Sequence, residues 1–217
     1  MDLLRNGNLL DKIDLDERID IIGLGASGSF VATTLVRTGF RNLWLHDFDK
    51  IEKHNICNQD FTEDQIGISK ITATVKNIMK INKDVQWICN FEAITKSNIK
   101  EKLGKSKNIF MCADSMECRR LVYDTFQYDE INLIESRLDY TGCQIYSCIT
   151  PEKRYRDCLN HEGGVAVSAC GSPVSICVTS QLAASTMVSR YIQLKTSGIV
   201  GECLISLDPP QLMYNGW

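Results

Sequence analysis

Long apolar runs, paired cysteines and an excess of either charge are all missing from this 217-residue chain. No apolar run reaches the roughly 18 residues that a membrane-spanning helix needs, so no membrane partner is expected. Met1-Asp2-Leu3-Leu4-Arg5 lacks the charged and apolar regions of a secretory signal. The expected location is therefore cytoplasmic. Lysine plus arginine number 24 against 27 acids, for a net charge of −3. That balance argues against a domain built mainly to hold nucleic acid. No Cys-x-x-Cys pair occurs among the ten cysteines. Structural zinc usually shows such pairs, so none is expected. Many cysteines lie in apolar stretches such as Trp87-Ile88-Cys89 and Ile176-Cys177-Val178, where a reduced thiol acts as a small buried hydrophobe. There is no internal repeat, low-complexity tract or linker, and the length suits one well-buried domain over residues 1–217.

What is present is an alternation of strand and helix. Residues 1–17 read as a polar or helical lead-in. Residues 18–23 form a compact apolar run ending in glycine, hence a strand. Residues 26–38 carry Phe30, Val31 and Leu35 at helical spacing, and Gly39 caps them. Residues 42–46 read as a second strand, and 47–61 as a polar connection. A helix is predicted from Thr62 or Ile68 to about Ile81. Strands are predicted at 84–89 and 107–112, a helix at 116–126, and strands at 131–135 and 144–150. Residues 151–168 are polar without clear periodicity and read as a crossover loop reaching to about 170. A long helix over 174–194 and a short strand at 203–206 precede a tail containing Pro209-Pro210. This pattern predicts a Rossmann-like, doubly wound, mostly parallel α/β sheet with helices on both faces. Its ligand crevice would lie at the carboxyl ends of the strands.

Gly23-Leu24-Gly25-Ala26-Ser27-Gly28 is a G-x-G-x-x-G between strand and helix. The first glycine allows a tight turn, the second a close phosphate and the third helix–strand packing. The helix N-terminus at Ala26 then presents N–H groups to an anion. Asp47 and Asp49 follow the second strand, where an acid accepts hydrogen bonds from a ribose. Together they favour a nucleotide over bare phosphate without separating ATP from NAD(P).

The next segment resembles a known family. Residues 47–59, DFDKIEKHNICNQ, resemble the E1-like (ThiF/MoeB/HesA) pattern D-x-D-x-V-x-x-x-N-L-x-R-Q. Gly67-Ile68-Ser69-Lys70 resembles its G-x-x-K, Ile81-Asn82 its I-N-P, Cys112-Ala113-Asp114-Ser115 its aspartate-bearing segment, and Gln181-Leu182-Ala183-Ala184 its Q-A-x-E-A. The resemblance implies ATP-dependent adenylation of the C-terminal carboxylate of a ubiquitin-like protein or peptide, in a homodimer. By resemblance, Lys70 would reach the phosphates and Asp114 would hold magnesium. Asn55, Asn58 and Gln59 would contact the nucleotide, Asp47 its ribose, and Asp49 the metal or adenine side. Arg5 would serve a partner's site, and Cys158 or Cys170 would take an activated acyl group. Asn58 stands where the family carries arginine. That departure keeps two alternatives open: a catalytically degenerate adaptor or heterodimer subunit, and an NAD(P)-binding oxidoreductase.

Overall fold

The computed structural model describes residues 2–160 and 175–217, with the backbone alone for residues 5–7. Its centre is one sheet of eight strands. They are β1 Ile19–Ile22, β2 Asn42–His46, β3 Gln86–Asn90, β4 Asn108–Met111, β5 Asn132–Leu138, β6 Gly142–Ile149, β7 Gly201–Leu207 and β8 Pro210–Gly216, in the order β3-β2-β1-β4-β5-β6-β7-β8. The pairings from β3 to β5 are parallel and those from β5 to β8 antiparallel. The main helices are α1 Ala26–Thr38, α2 Lys70–Ile81, α3 Ile99–Leu103, α4 Met116–Phe126, α5 Lys153–Cys158 and α6 Cys177–Ser197. No helix among the described residues is long and apolar enough to cross a membrane.

Alternation along the strands sorts the core into two layers. Ile19, Ile21, Leu43, Leu45, Phe110, Ile134 and Ile145 face α1, α2 and α6, and are buried with Val31, Leu35, Ile71, Met187 and Tyr191. Ile22, Ile109, Met111, Leu133, Tyr146 and Cys148 face the other way, onto Leu103 of α3, Val122 and Phe126 of α4, and Tyr155 of α5. Helices therefore cover both faces, as the alternating pattern requires.

Three elements depart from the sequence reading. Residues 151–168, read as a loop, contain α5; α3 was not anticipated either. Both are short, so they show too few apolar residues to reveal a period. The tail with Pro209-Pro210 is an edge strand, β8, paired on one side to β7. Proline is tolerated there because Pro210 is the strand's first residue and its missing N–H interrupts no central ladder.

The second face also holds a buried charge cluster. Glu135 is fully buried on β5. Arg137 Nε donates to its Oε1 at 2.7 Å, Arg119 Nη1 lies 3.5 Å from the same oxygen, and the Tyr155 hydroxyl donates to Oε2. Burial pushes the Tyr155 phenol well up, with the Glu135 charge second, so it stays a donor. Arg119 further donates to the carbonyls of Ala113 and Ser136, which ties α4 to the exits of β4 and β5. Removing the carboxylate leaves two guanidinium groups in a largely dry site. Glu135→Ala is expected to lower unfolding free energy by about 3–5 kcal/mol in urea denaturation. A loss below about 1 kcal/mol would show that the cluster is hydrated and not structural.

Candidate nucleotide site at the strand exits

β1, β2 and β4 end together, and the chain leaves each in a polar turn. At β1 the turn begins at Gly23, whose φ of +88° suits glycine and whose N–H donates to His46 O at 2.8 Å. A Cβ at Gly23 would sit 2.8 Å from Ala113 N, so the turns after β1 and β4 are in backbone contact. A Cβ at Gly28 would come within 1.9 Å of Gly23 O, which explains the third glycine as the close packing of α1 on the turn. A Cβ at Gly25 would meet nothing within 4 Å. The second glycine is thus not required by the protein's own packing. It borders open space at the N-terminus of α1, where Ala26 begins the helix and free N–H groups favour an anion.

Asp47 closes this turn from the β2 side. Its Oδ2 accepts the Leu24 N–H at 2.6 Å and its Oδ1 the Asp49 N–H at 2.8 Å. Burial pushes the Asp47 carboxyl up, opposed by the charge of Lys70 and by these two backbone donors. Asp47 therefore holds the glycine turn, and both its oxygens are used. Asp49 is placed differently: its side chain is 47% exposed, and its Oδ2 accepts from Lys70 Nζ at 2.8 Å.

Lys70 is a buried lysine at the head of α2. It is the first residue of α2, 7% exposed, with its N–H donating to Asp49 O. The preceding turn explains how it gets there. Gly67, with φ of +83°, donates to Ile51 O, and Ile51 N donates to Ile68 O. A left-handed residue folds the chain back on the 47–51 segment, so glycine three residues before lysine fixes Lys70 against Asp49.

The polar connection supplies the remaining predicted residues. Asn55 is buried, and its Oδ1 accepts from Glu52 N at 2.9 Å. Asn58 Nδ2 donates to Ser175 Oγ at 2.8 Å. The Asn58 Oδ1 and Gln59 Oε1 atoms are buried without a hydrogen-bond partner among the described residues. Asp114 follows β4 and is exposed. The residue after it, Ser115, is the N-cap of α4, and its side chain accepts from Cys118 N. Cys158 lies on the far face of the sheet, at the end of α5, and burial pushes its thiol up, the reverse of an activated thiolate. Cys170 lies outside the described residues, as does the side chain of Arg5.

The structure thus bonds Asp47 to the glycine turn at Leu24 and to Asp49, and Asp49 to Lys70, with Gly23, Gly25, Ala26 and Gly28 on that turn and Asp114 on the adjoining one. The sequence reading missed Arg119 and Arg137, which stand at the exits of β4 and β5. The signal was Glu135 and Arg137 two residues apart in an apolar strand, which places both on one face.

The glycine geometry gives a paired test. Gly28→Ala is expected to lose roughly 1–3 kcal/mol or more by overpacking. Gly25→Ala, at the N-cap, should stay within about 1 kcal/mol of the parent. Equal losses in thermal denaturation would mean that packing also holds the second glycine.

A model of the ThiF family matches residues 8–204. Among curated proteins, the chain is 32% identical over 135 residues to ubiquitin-like modifier-activating enzyme 5 of Drosophila ananassae, covering 56% of this chain and 34% of that protein. It is 31% identical over 118 residues to the protein of the same name from Caenorhabditis briggsae, covering 49% and 27%. The chain spans about a third or less of the length of these relatives. Among solved structures, E. coli MccB with MccA-N7isoASN superposes with a TM-score of 0.80 at 16% identity, over 96% of this chain and 66% of that one. E. coli tRNA N6-threonylcarbamoyladenosine dehydratase, TcdA, in complex with AMP gives 0.70 at 17% identity, over 90% and 92%. At such identities the structural likeness is one of fold. The family match covers β1 to β6, the start of β7 and every turn of the site, and the chain belongs to the ThiF family.

Proposed function

We propose that this chain binds ATP over the glycine turn and transfers AMP to a carboxylate, the C-terminus of a ubiquitin-like protein or peptide. The observation that carries this reading is the Asp49–Lys70 pair beside an open helix N-terminus. One acid is free enough to meet a ribose, and one buried cation is near enough to meet phosphates. Since Asp47 is committed to two backbone N–H groups, Asp49 is the better ribose acceptor. Solved neighbours support the nucleotide: MccB has been determined with ATP and TcdA with AMP. The curated relatives, named as activating enzymes of ubiquitin-like modifiers, support the acceptor class.

The residues fit both ligands. Gly25 leaves room for phosphate, with the N-terminus of α1 and Lys70 to offset its charge. Among the described residues no group of three or more His, Cys, Asp or Glu could hold a metal ion. Magnesium would be held by Asp114 together with phosphate oxygens, its common mode, and would supply charge neutralisation. Asn55, Asn58 and Gln59 would line the phosphate side. In the reaction an acceptor carboxylate oxygen forms a bond to the α-phosphorus. The bond from that phosphorus to the bridging oxygen breaks, and pyrophosphate leaves with the electron pair. No proton moves and nothing is oxidised. The chain's contribution is to orient the reactants and meet developing charge with Lys70 and backbone N–H groups. Such enzymes act as homodimers in this reading, with Arg5 serving the site of a second copy.

The second reading is a degenerate, nucleotide-holding subunit. Asn58 supports it, because a neutral amide bonded to Ser175 stands where the family pattern has arginine.

ATP–pyrophosphate exchange in the presence of candidate carrier proteins separates the two. Asp114→Ala is expected to lower exchange by a factor on the order of 10²–10³ with its melting temperature nearly unchanged, and Lys70→Ala to lower exchange comparably while also lowering the melting temperature, because Lys70 offsets the buried charge of Asp47. Wild-type protein that binds ATP but never exchanges with any carrier would favour the degenerate subunit.

A further inference from the structure

The charge cluster on β5 holds two guanidinium groups and one carboxylate, a surplus of one positive charge in a mostly buried place. Arg119 is satisfied by Glu135 and by the carbonyls of Ala113 and Ser136. Arg137 is not. Its Nε donates to Glu135, its Nη1 to Cys158 O at 3.3 Å, and its plane lies 4.9 Å from the Tyr146 ring. Its Nη2 is buried with no hydrogen-bond partner among the described residues. Glu202, across β6 beside Tyr146, is already bonded by Gln144. A fixed guanidinium with an unused donor suits an oxygen anion.

Position selects which anion. Glu135 pairs with Met111, the last residue of β4. Arg137 lies two residues farther on, roughly 6–7 Å past the end of β4, next to Ser136, whose carbonyl Arg119 bridges to that of Ala113 in the turn that carries Asp114. Its side chain is on the face of α4 and α5, whereas α1 and Lys70 belong to the opposite face. The site is continuous across this line, because Ser136 Oγ donates to Ser27 Oγ in the first turn of α1. In an in-line displacement the attacking and leaving oxygens lie on opposite sides of the phosphorus. If the pyrophosphate end is held by α1 and Lys70, the attacker arrives from the β5 side, past Asp114.

We infer that Arg137 is a substrate-binding residue whose Nη2 receives the acceptor's carboxylate before attack. Glu135 and the carbonyl of Cys158 hold its guanidinium in place. The inference rests on the adenylation reading for its purpose, but the carboxylate contact can be tested without turnover.

The experiment uses the whole chain labelled with 15N-arginine and no nucleotide. The Arg137 guanidinium resonance is assigned by its loss in Arg137→Lys. Trialanine, with a free C-terminal carboxylate, and trialanine amide are titrated in parallel. The expected result is a saturable shift of the Arg137 signal with trialanine only, with affinity about tenfold or more weaker in Arg137→Gln. That variant leaves Glu135 bonded by Arg119 and Tyr155, and a melting curve confirms its fold. Its affinity for Mg-ATP should stay within about twofold of wild type. Equal responses to acid and amide, or none, would overturn the inference, as would a collapse of Mg-ATP affinity, which would give Arg137 to the phosphates. Wild-type protein that does not bind Mg-ATP at all would instead sink the adenylation reading, while the trialanine titration still decides Arg137.

Discussion

The site depends on one buried carboxylate. Asp47 accepts the Leu24 N–H with one oxygen and the Asp49 N–H with the other, binding the turn after β1 to the turn after β2. Burial works against this charge, and the two backbone donors together with Lys70 offset it. Without that clamp the Gly23–His46 backbone bond would hold the base of the glycine turn on β2, but nothing would fix Leu24 against the segment that carries Asp49. With it, Asp49 can face Lys70, and the first turn of α1 can face the same space. A Rossmann-like sheet supplies the crest; Asp47 makes the crest a site.

The sheet then divides the chemistry between its two faces. Lys70 and the N-terminus of α1 lie with the first layer, where phosphates would sit. Arg119, Glu135 and Arg137 lie with the second, beside the turn of Asp114. A parallel sheet buried on both faces permits this separation, because residues i and i+1 of a strand reach opposite sides. Ser136 and Arg137 show it directly. The serine bonds α1 and the arginine bonds Glu135 and the α5 carbonyl.

Much of this was legible in the residues, and the reason is locality. The glycine turn, D-x-D and G-x-x-K each act through neighbours a few residues away, so order and spacing reveal them. Helix α1 begins and ends as its spacing and Gly39 cap predicted, and α4 spans the residues predicted for it. What stayed hidden depends on tertiary contact. That Asp47 is clamped by two backbone N–H groups while Asp49 is half-exposed and paired with Lys70 cannot be read from two aspartates at one strand end. That Ser115, and not Asp114, caps α4 is a matter of side-chain geometry. Glu135 marked the end of a predicted strand, because charge in an apolar run ordinarily means exposure. Only the partners arriving from α4 and α5 explain its burial. β8 was hidden by two prolines that an edge strand tolerates and a central one does not.

The central claim is that the glycine turn and the Asp49–Lys70 pair form one nucleotide site. Backbone amide NMR during an Mg-ATP titration tests it most directly, because the amides of the turn are the proposed ligands. Saturable shifts concentrated at Gly25, Ala26, Asp49 and Lys70 are expected. Saturable shifts that leave these four amides unmoved, or no saturable shift at all, would contradict it.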